Sequence, residues 1–264
     1  MIPKIIHYCW FGAKEKPEKV KKYISTWKQK CADYQIIEWN EANFDLKQNP
    51  YCLDAYKNKE WAFVSDYVRL SVLYEYGGIY MDTDVEAIKK FDDLLQYRLF
   101  LGFQHDNQVA TGTIGACVHN EFIKTCLQSY DKRGFINKCG DMDLTPNVVM
   151  VTNILTSTYG VSLNGKMQEF GNNMILLPHN YLTAKSFETG VVTKDSTTYA
   201  IHHFSGSWLT PKQKKYLDFR QRYYSLASKY FPSILALNIS KFITAYKIGG
   251  ITQILKQIYN KFMK

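Results

Sequence analysis

A chain of 264 residues with 46% hydrophobic and 22% charged residues carries enough apolar material to close a core, which excludes disordered and collagen-like classes. The formal charge is +9, but six lysines and no acidic residue fall within 229–264, leaving only +3 for the other 228 residues. A basic excess confined to a tail argues against a nucleic-acid partner for the main fold.

The opening segment Lys4–Cys9 predicts a buried strand, and its apolar run is too short for a secretory signal. Pro17 can start a helix running to about Lys30, and Tyr34–Trp39 reads as a second strand, so strand, helix and strand suggest a mostly parallel sheet. Trp61–Tyr76 has helix periodicity, with Phe63, Tyr67, Leu70 and Tyr74 on one face. Gly77-Gly78 ends that helix and Ile79–Met81 forms a compact strand, which leaves Asp82-Thr83-Asp84 at a strand's carboxyl end, where open α/β sheets bind ligands. Strands are expected at Leu99–Phe103, Val109–Ala116, Met174–Leu177 and Tyr199–His203, and helices at Glu121–Tyr130 and Asn147–Tyr159, with Asp131–Thr145 a candidate mobile loop. A charged helix follows from Pro211 to about Tyr230. After Pro232 comes a segment split by Gly249-Gly250, whose last part sets Ile251, Ile254, Leu255, Ile258, Tyr259 and Phe262 opposite Lys256, Lys261 and Lys264. Residues 233–264 are therefore expected either to lie on an anionic membrane surface or to pack on protein. Six cysteines (Cys9, Cys31, Cys52, Cys117, Cys126, Cys139) show no metal-ligand or disulfide spacing, and a reducing, cytoplasmic setting is expected.

Asp82 and Asp84 lie two apart, so a strand end can turn both carboxylates to one point. Two hard oxygen donors suit Mg²⁺ or Mn²⁺ where phosphate oxygens complete the shell. Alone the triplet is a weak signal, because solvated carboxylate pairs occur often by chance. Asp66 and Arg69 strengthen it: three apart on a helix, they share a face amid apolar neighbours, and they offer an acceptor for sugar hydroxyls and a rigid fork of donors. The bland alternative is an ordinary helix pair of a few tenths of a kcal/mol. His202 and His203 alternate in a strand, so one of them can reach a metal or diphosphate, while Ser207 and Trp208 offer a hydroxyl and an indole N–H to a departing diphosphate.

The runs Ser65-Asp66-Tyr67-Val68-Arg69 and Tyr76-Gly77-Gly78-Ile79-Tyr80-Met81-Asp82-Thr83-Asp84 resemble the DXD-containing sugar-binding region of glycosyltransferase family 32, of the bacterial capsule or surface-polysaccharide type, with clostridial glucosylating toxins as more distant relatives. Ile2–Gly12 and His202–Trp208 also look like members of that group, and the likeness spans roughly residues 2–210. The resemblance implies an α/β fold of the A type for nucleotide-sugar transferases, with a mostly parallel sheet and a helical C-terminal extension. A catalytic domain over 1–210 and a helical region over 211–264 are expected. It also implies transfer of a hexose or N-acetylhexosamine, with retention, from a nucleotide sugar (UDP more readily than GDP) to a surface-polysaccharide or lipid-linked acceptor, at the inner face of the plasma membrane. By the same likeness His7, Tyr8 and Trp10 border the nucleotide, Asp66 and Arg69 hold the donor sugar, and Thr83, Ser207 and Trp208 complete the donor site. Asp82, Asp84 and His203 take the metal, His203 being preferred to His202 on register alone. A non-catalytic sugar-binding protein and a metal-dependent phosphohydrolase are the alternatives, the second thinly provided with carboxylates.

Overall fold

The computed structural model describes residues 1–206 and 209–262, the side chains of 249–262 excepted. Ser207 and Trp208 lie outside the described residues. The chain divides into two compact units, one made of Met1–Lys185 and Val192–Ser205, the other of Ser186–Val191 and the segment from Gly206 onward.

The first unit is built on a seven-stranded sheet. In chain order its elements are β1 (Ile5–Cys9), α1 (Glu18–Lys30), β2 (Gln35–Trp39), α2 (Pro50–Lys57), α3 (Trp61–Tyr76), β3 (Gly78–Met81), β4 (Val85–Ala87), β5 (Leu99–His105), β6 (Gln108–Ala116), α4 (Glu121–Asp131), α5 (Asn147–Tyr159), β7 (Gln168–Phe170), β8 (Met174–Leu177), α6 (His179–Leu182) and β9 (Ala200–His202). The sheet order is β2-β1-β3-β6-β5-β8-β7, and every strand except β6 and β7 runs the same way, so the sheet is mostly parallel.

Alternation along the strands sorts side chains between two cores. Leu99, Leu101 and Phe103 of β5 face the core shared with α2, α3, α4 and α5, whereas Phe100 joins Ile6, Tyr8, Ile79 and Met81 against α1. Covered on both faces, these strands read as continuous apolar runs rather than alternating ones. Trp27 of α1 is fully buried and donates its indole N–H to the Val85 carbonyl at 2.8 Å, fastening α1 to β4.

The passage from α3 into β3 fixes the site's position. Gly77 and Gly78 have φ of +62° and +99°, and a Cβ at Gly78 would stand 2.7 Å from the Ile5 carbonyl oxygen, so the reversal is open to glycine alone. Several elements differ from the sequence expectation, the short strands β4 and β7 among them. The strand expected over Tyr199–His203 is shorter and pairs antiparallel with β4 in a separate two-stranded sheet, an unforeseen partner. The helix α2, capped by the Asn49 side chain with Pro50 in its first turn, and the short α6 were not anticipated. The Asp131–Thr145 segment is held across its base by Arg133, which pairs with Asp143 at 2.5 Å and donates to the Thr145 carbonyl at 2.6 Å.

In the second unit, α7 (Pro211–Ala227) opens on a capping box between Thr210 and Gln213. Then α8 (Ser233–Phe262) runs through Gly249-Gly250 without the expected break, because glycine lowers helix stability by about 1 kcal/mol without forbidding the helix. The side chains of the amphipathic stretch 251–264 are outside the described residues. Among the described residues no helix is long and apolar enough to cross a membrane.

Candidate active site

Asp82 leaves β3 with its N–H on the Gly112 carbonyl at 2.8 Å, and its own carbonyl accepts the Val85 N–H at 2.9 Å, closing a turn over Asp82-Thr83-Asp84. β4 then carries the chain into its pairing with β9, where Val85 lies opposite His202. The result is a cluster in which one ligand atom each from Asp82, Asp84 and His202 lies within 4.8 Å of the others. His202 Nε2 stands 3.1 Å from Asp84 Oδ1 and 3.9 Å from Asp82 Oδ2. Its Nδ1 is buried with no partner among the described residues. Gly112 makes this approach possible: a Cβ there would meet the His202 ring at 2.7 Å and Asp82 Oδ2 at 3.0 Å.

Arg69 ties this cluster to α3. Its guanidinium contacts Asp66 Oδ1 at 3.0 Å and Asp82 Oδ1 at 3.3 Å, donates to the carbonyls of Ser65 and Thr111 at 3.2 and 2.7 Å, and lies over the Tyr80 ring at 4.7 Å. The Tyr80 hydroxyl in turn donates to Asp82 Oδ1 at 3.1 Å. Asp66 accepts the Asn147 N–H at the start of α5 at 3.2 Å. Asn147 is itself buried: its side-chain Oδ1 accepts from Thr111 Oγ1 at 2.8 Å, and its Nδ2 has no partner among the described residues.

Burial and charge set the protonation of these groups. Burial pushes the Asp66 carboxyl up to about 6 against the opposing pull of Arg69. Asp82 is raised for the same reason, with Arg69 and His202 opposing. Asp84 is half-buried, which would raise it, yet His202 and the Ser205 N–H, which it accepts at 2.6 Å, hold it well below the usual carboxylate range. Burial alone would lower His202, but Asp84 and Asp82 carry it above its ordinary value.

The structure therefore brings together Asp66, Arg69, Asp82 and Asp84, with the half-buried Thr83 between the last two. It places His202, not His203, beside the carboxylates. His203 faces the other side of β9, where its Nε2 meets Glu86 Oε2 at 2.8 Å and its ring stacks on Tyr23 at 4.6 Å. His7 and Tyr8 sit in the core. Trp39 Nε1–H donates to His7 Nδ1 at 3.0 Å, so His7 Nε2–H donates to the Gly77 carbonyl at 2.7 Å, and burial pulls this neutral imidazole down to about 4. The Tyr8 hydroxyl donates to the Glu38 carboxylate. Trp10 lies beyond the end of β1, half-buried, with its indole N–H on the Lys14 carbonyl at 2.6 Å. Asn147, Gly112 and Tyr80 were not picked out as site residues from the sequence. A short polar residue directly after Pro146 at a helix start was the available signal for Asn147.

Residues 17–101, which span α1 to the middle of β5, match the protein family described as "Glycosyltransferase sugar-binding region containing DXD motif". This stretch contains Asp66, Arg69, Asp82 and Asp84. Mannosyl phosphorylinositol ceramide synthase SUR1 of Saccharomyces cerevisiae is 31% identical over 147 residues, covering 52% of this chain and 37% of that protein. Human alpha-1,4-N-acetylglucosaminyltransferase is 32% identical over 79 residues, covering 30% of this chain and 22% of its own. The chain thus spans well under half the length of these curated relatives. Among solved structures, PaToxG glycosyltransferase aligns over 60% of this chain and 69% of its own, with 22% identity and a TM-score of 0.44.

Proposed function

We propose that the protein is a metal-dependent glycosyltransferase of the A-type fold, with a catalytic domain over 1–210, that moves a hexose or N-acetylhexosamine from a nucleoside-diphosphate sugar to an acceptor hydroxyl. The observation that carries this reading is the convergence of Asp82, Asp84 and His202 at the end of β3, directly beside the buried Asp66–Arg69 pair. Two carboxylates and an imidazole fit Mn²⁺ or Mg²⁺, and the small number of protein ligands suits an ion whose remaining positions go to phosphate oxygens. When bound, such an ion supplies Lewis-acid stabilisation of the charge that appears on a departing diphosphate.

The chain's own groups do the rest. Arg69 positions both Asp66 and Asp82 through one rigid fork. Asp66, ionised above about pH 6, keeps lone pairs available for donor-sugar hydroxyls. Asn147 Nδ2, without a partner among the described residues, adds a buried donor next to it. Ser207 and Trp208 are assigned to the diphosphate, and a UDP-sugar is favoured over a GDP-sugar. Retention follows from same-face substitution, in which the leaving phosphate takes the acceptor's proton, since Asp82 and Asp84 serve the metal and Asp66 is held by Arg69 and Asn147. The decisive measurement is a donor-panel assay with Mn²⁺ and chelator arms. One donor is expected to give glycosylated acceptor and free nucleoside diphosphate, both lost in EDTA. Undiminished turnover in excess EDTA overturns the metal assignment, and sugar binding without nucleotide release establishes the non-catalytic alternative.

The acceptor assigned here is a surface glycan, including lipid-linked ones, met at the cytoplasmic face of a membrane. The second unit supports this. Tyr230 is 81% and Ile234 76% exposed, Phe231, Leu235, Phe242 and Tyr246 are also exposed, and no acidic residue follows Lys229. At about 1 kcal/mol per lysine near an anionic surface, deleting residues 233–264 is expected to weaken binding to phosphatidylserine vesicles at least about tenfold while sparing turnover on a soluble acceptor. Unchanged vesicle binding in a sedimentation assay defeats the membrane assignment.

A further inference from the structure

Between α6 and β9 the chain makes a three-residue turn in which the Lys185 N–H donates to the Thr183 carbonyl at 2.7 Å. The residue at its apex, Ala184, is fully buried with φ of +44°, a conformation that costs a non-glycine residue about 1–3 kcal/mol. The surroundings hold it there. The Thr183 carbonyl also accepts the His202 N–H at 2.9 Å, the Thr193 N–H donates to the Ala184 carbonyl at 2.7 Å, and Thr183 Oγ1 donates to the Phe103 carbonyl at 3.1 Å. This anchoring delivers Lys185 Nζ to the His203 carbonyl oxygen at 3.0 Å, and the N–H of His203 donates to the Asp84 carbonyl at 2.9 Å. The ammonium is thereby fixed one residue away from the Asp82–Asp84–His202 cluster.

Lys185 is half-buried and forms no ion pair among the described residues. It feels the attraction of Asp84 and the repulsion of Lys19, whose ammonium lies 5.9 Å from the centre of the Tyr23 ring that stacks on His203. An ammonium drawn partly out of water toward a second cation, with only a carbonyl to hold among the described residues, is an arrangement that an anion would relieve. The charge around the cluster points the same way. A divalent ion with two carboxylates and a neutral imidazole is close to neutral, while a leaving diphosphate carries several negative charges. Arg69 cannot supply the balance, being engaged by Asp66, Asp82 and two carbonyls.

We infer that Lys185 binds the terminal phosphate of the departing diphosphate, with Lys19 as an outer second cation. This rests on reading the cluster as the donor site. Calorimetric titration with pyrophosphate in the presence of Mn²⁺ tests it without need of the donor or acceptor. A lost charge-assisted hydrogen bond predicts that Lys185→Met binds pyrophosphate about 10-fold or more weakly, that Lys185→Arg stays within about threefold of wild type, and that Mn²⁺ affinity without pyrophosphate is unchanged. Pyrophosphate binding by Lys185→Met within about twofold of wild type overturns the inference. So does a parallel loss of Mn²⁺ affinity, which marks a structural lysine. If wild type binds Mn²⁺·pyrophosphate and Asp82→Asn does not, a normal Lys185→Met removes this inference alone. If wild type binds none, the donor-site reading falls with it.

Discussion

Asp84→Asn is expected to lower kcat by about 10²–10³-fold, the range seen when one preorganised electrostatic contact to developing charge is removed, while the protein still folds at pH 7. The amide is nearly isosteric and keeps an oxygen for the Ser205 N–H, which the carboxylate accepts at 2.6 Å. What it loses is the charge facing His202 at 3.1 Å. Because His202 and the Ser205 N–H depress the folded Asp84 pKa, its contribution to stability is present above the ordinary carboxylate range and lost as pH falls through the folded value. The variant's deficit in melting temperature should therefore be visible at pH 7 and shrink in strong acid. Two histidine variants sharpen the result. His202→Ala is expected to weaken Mn²⁺ at least about tenfold, whereas His203→Ala, which loses contacts to Glu86 and Tyr23, leaves Mn²⁺ affinity within about threefold. Calorimetry on the purified variants decides it, and the reverse order would restore the choice of His203.

That choice shows where sequence reasoning reaches its limit. The alternation of a strand puts His202 and His203 on opposite faces, but which face meets the carboxylates depends on β9 leaving the central sheet to pair with β4, with His202 opposite Val85. No window of local sequence contains that pairing. By contrast, the placement of Asp82 was legible because a helix, two glycines and a short apolar strand occur in immediate succession, and each local signal agrees with the next. Asp66 and Arg69 were legible for the same reason, since helical spacing alone puts them on one face. The apolar run Ile5-Ile6-His7-Tyr8-Cys9 carried its own signal: a strand covered on both sides leaves a histidine to be satisfied inside the core, as Trp39 and Gly77 satisfy His7. Asn147 and Gly112 reach the site from positions 30 or more residues beyond Asp82, and only the packed fold brings them there.

Arg69→Met should be the most destabilising single change at the site, by about 3–5 kcal/mol, or on the order of 10 °C in melting temperature for a chain of this size. The guanidinium is buried and is shared by the buried Asp66 carboxylate and the half-buried Asp82 carboxylate, so its removal leaves both without their common cation. The methionine fills much of the volume, which makes lost charge rather than a cavity the cause. The pH dependence identifies that cause. With Arg69 present the folded Asp66 pKa is already raised to about 6, so the folded state holds this proton more tightly than the unfolded one, and stability from this group falls as pH rises through 6. Without Arg69 both carboxyls rise further, and the variant gains more from protonation than wild type does. The stability gap, measured by urea denaturation, should therefore be widest near pH 8 and narrow toward pH 5. Arg69→Lys keeps a cation but cannot span both carboxylates and the carbonyls of Ser65 and Thr111, so it should recover part of the stability and little of the turnover. A gap that stays constant from pH 5 to 8 would mean that Arg69 acts through packing, and the electrostatic account of the site would have to be abandoned.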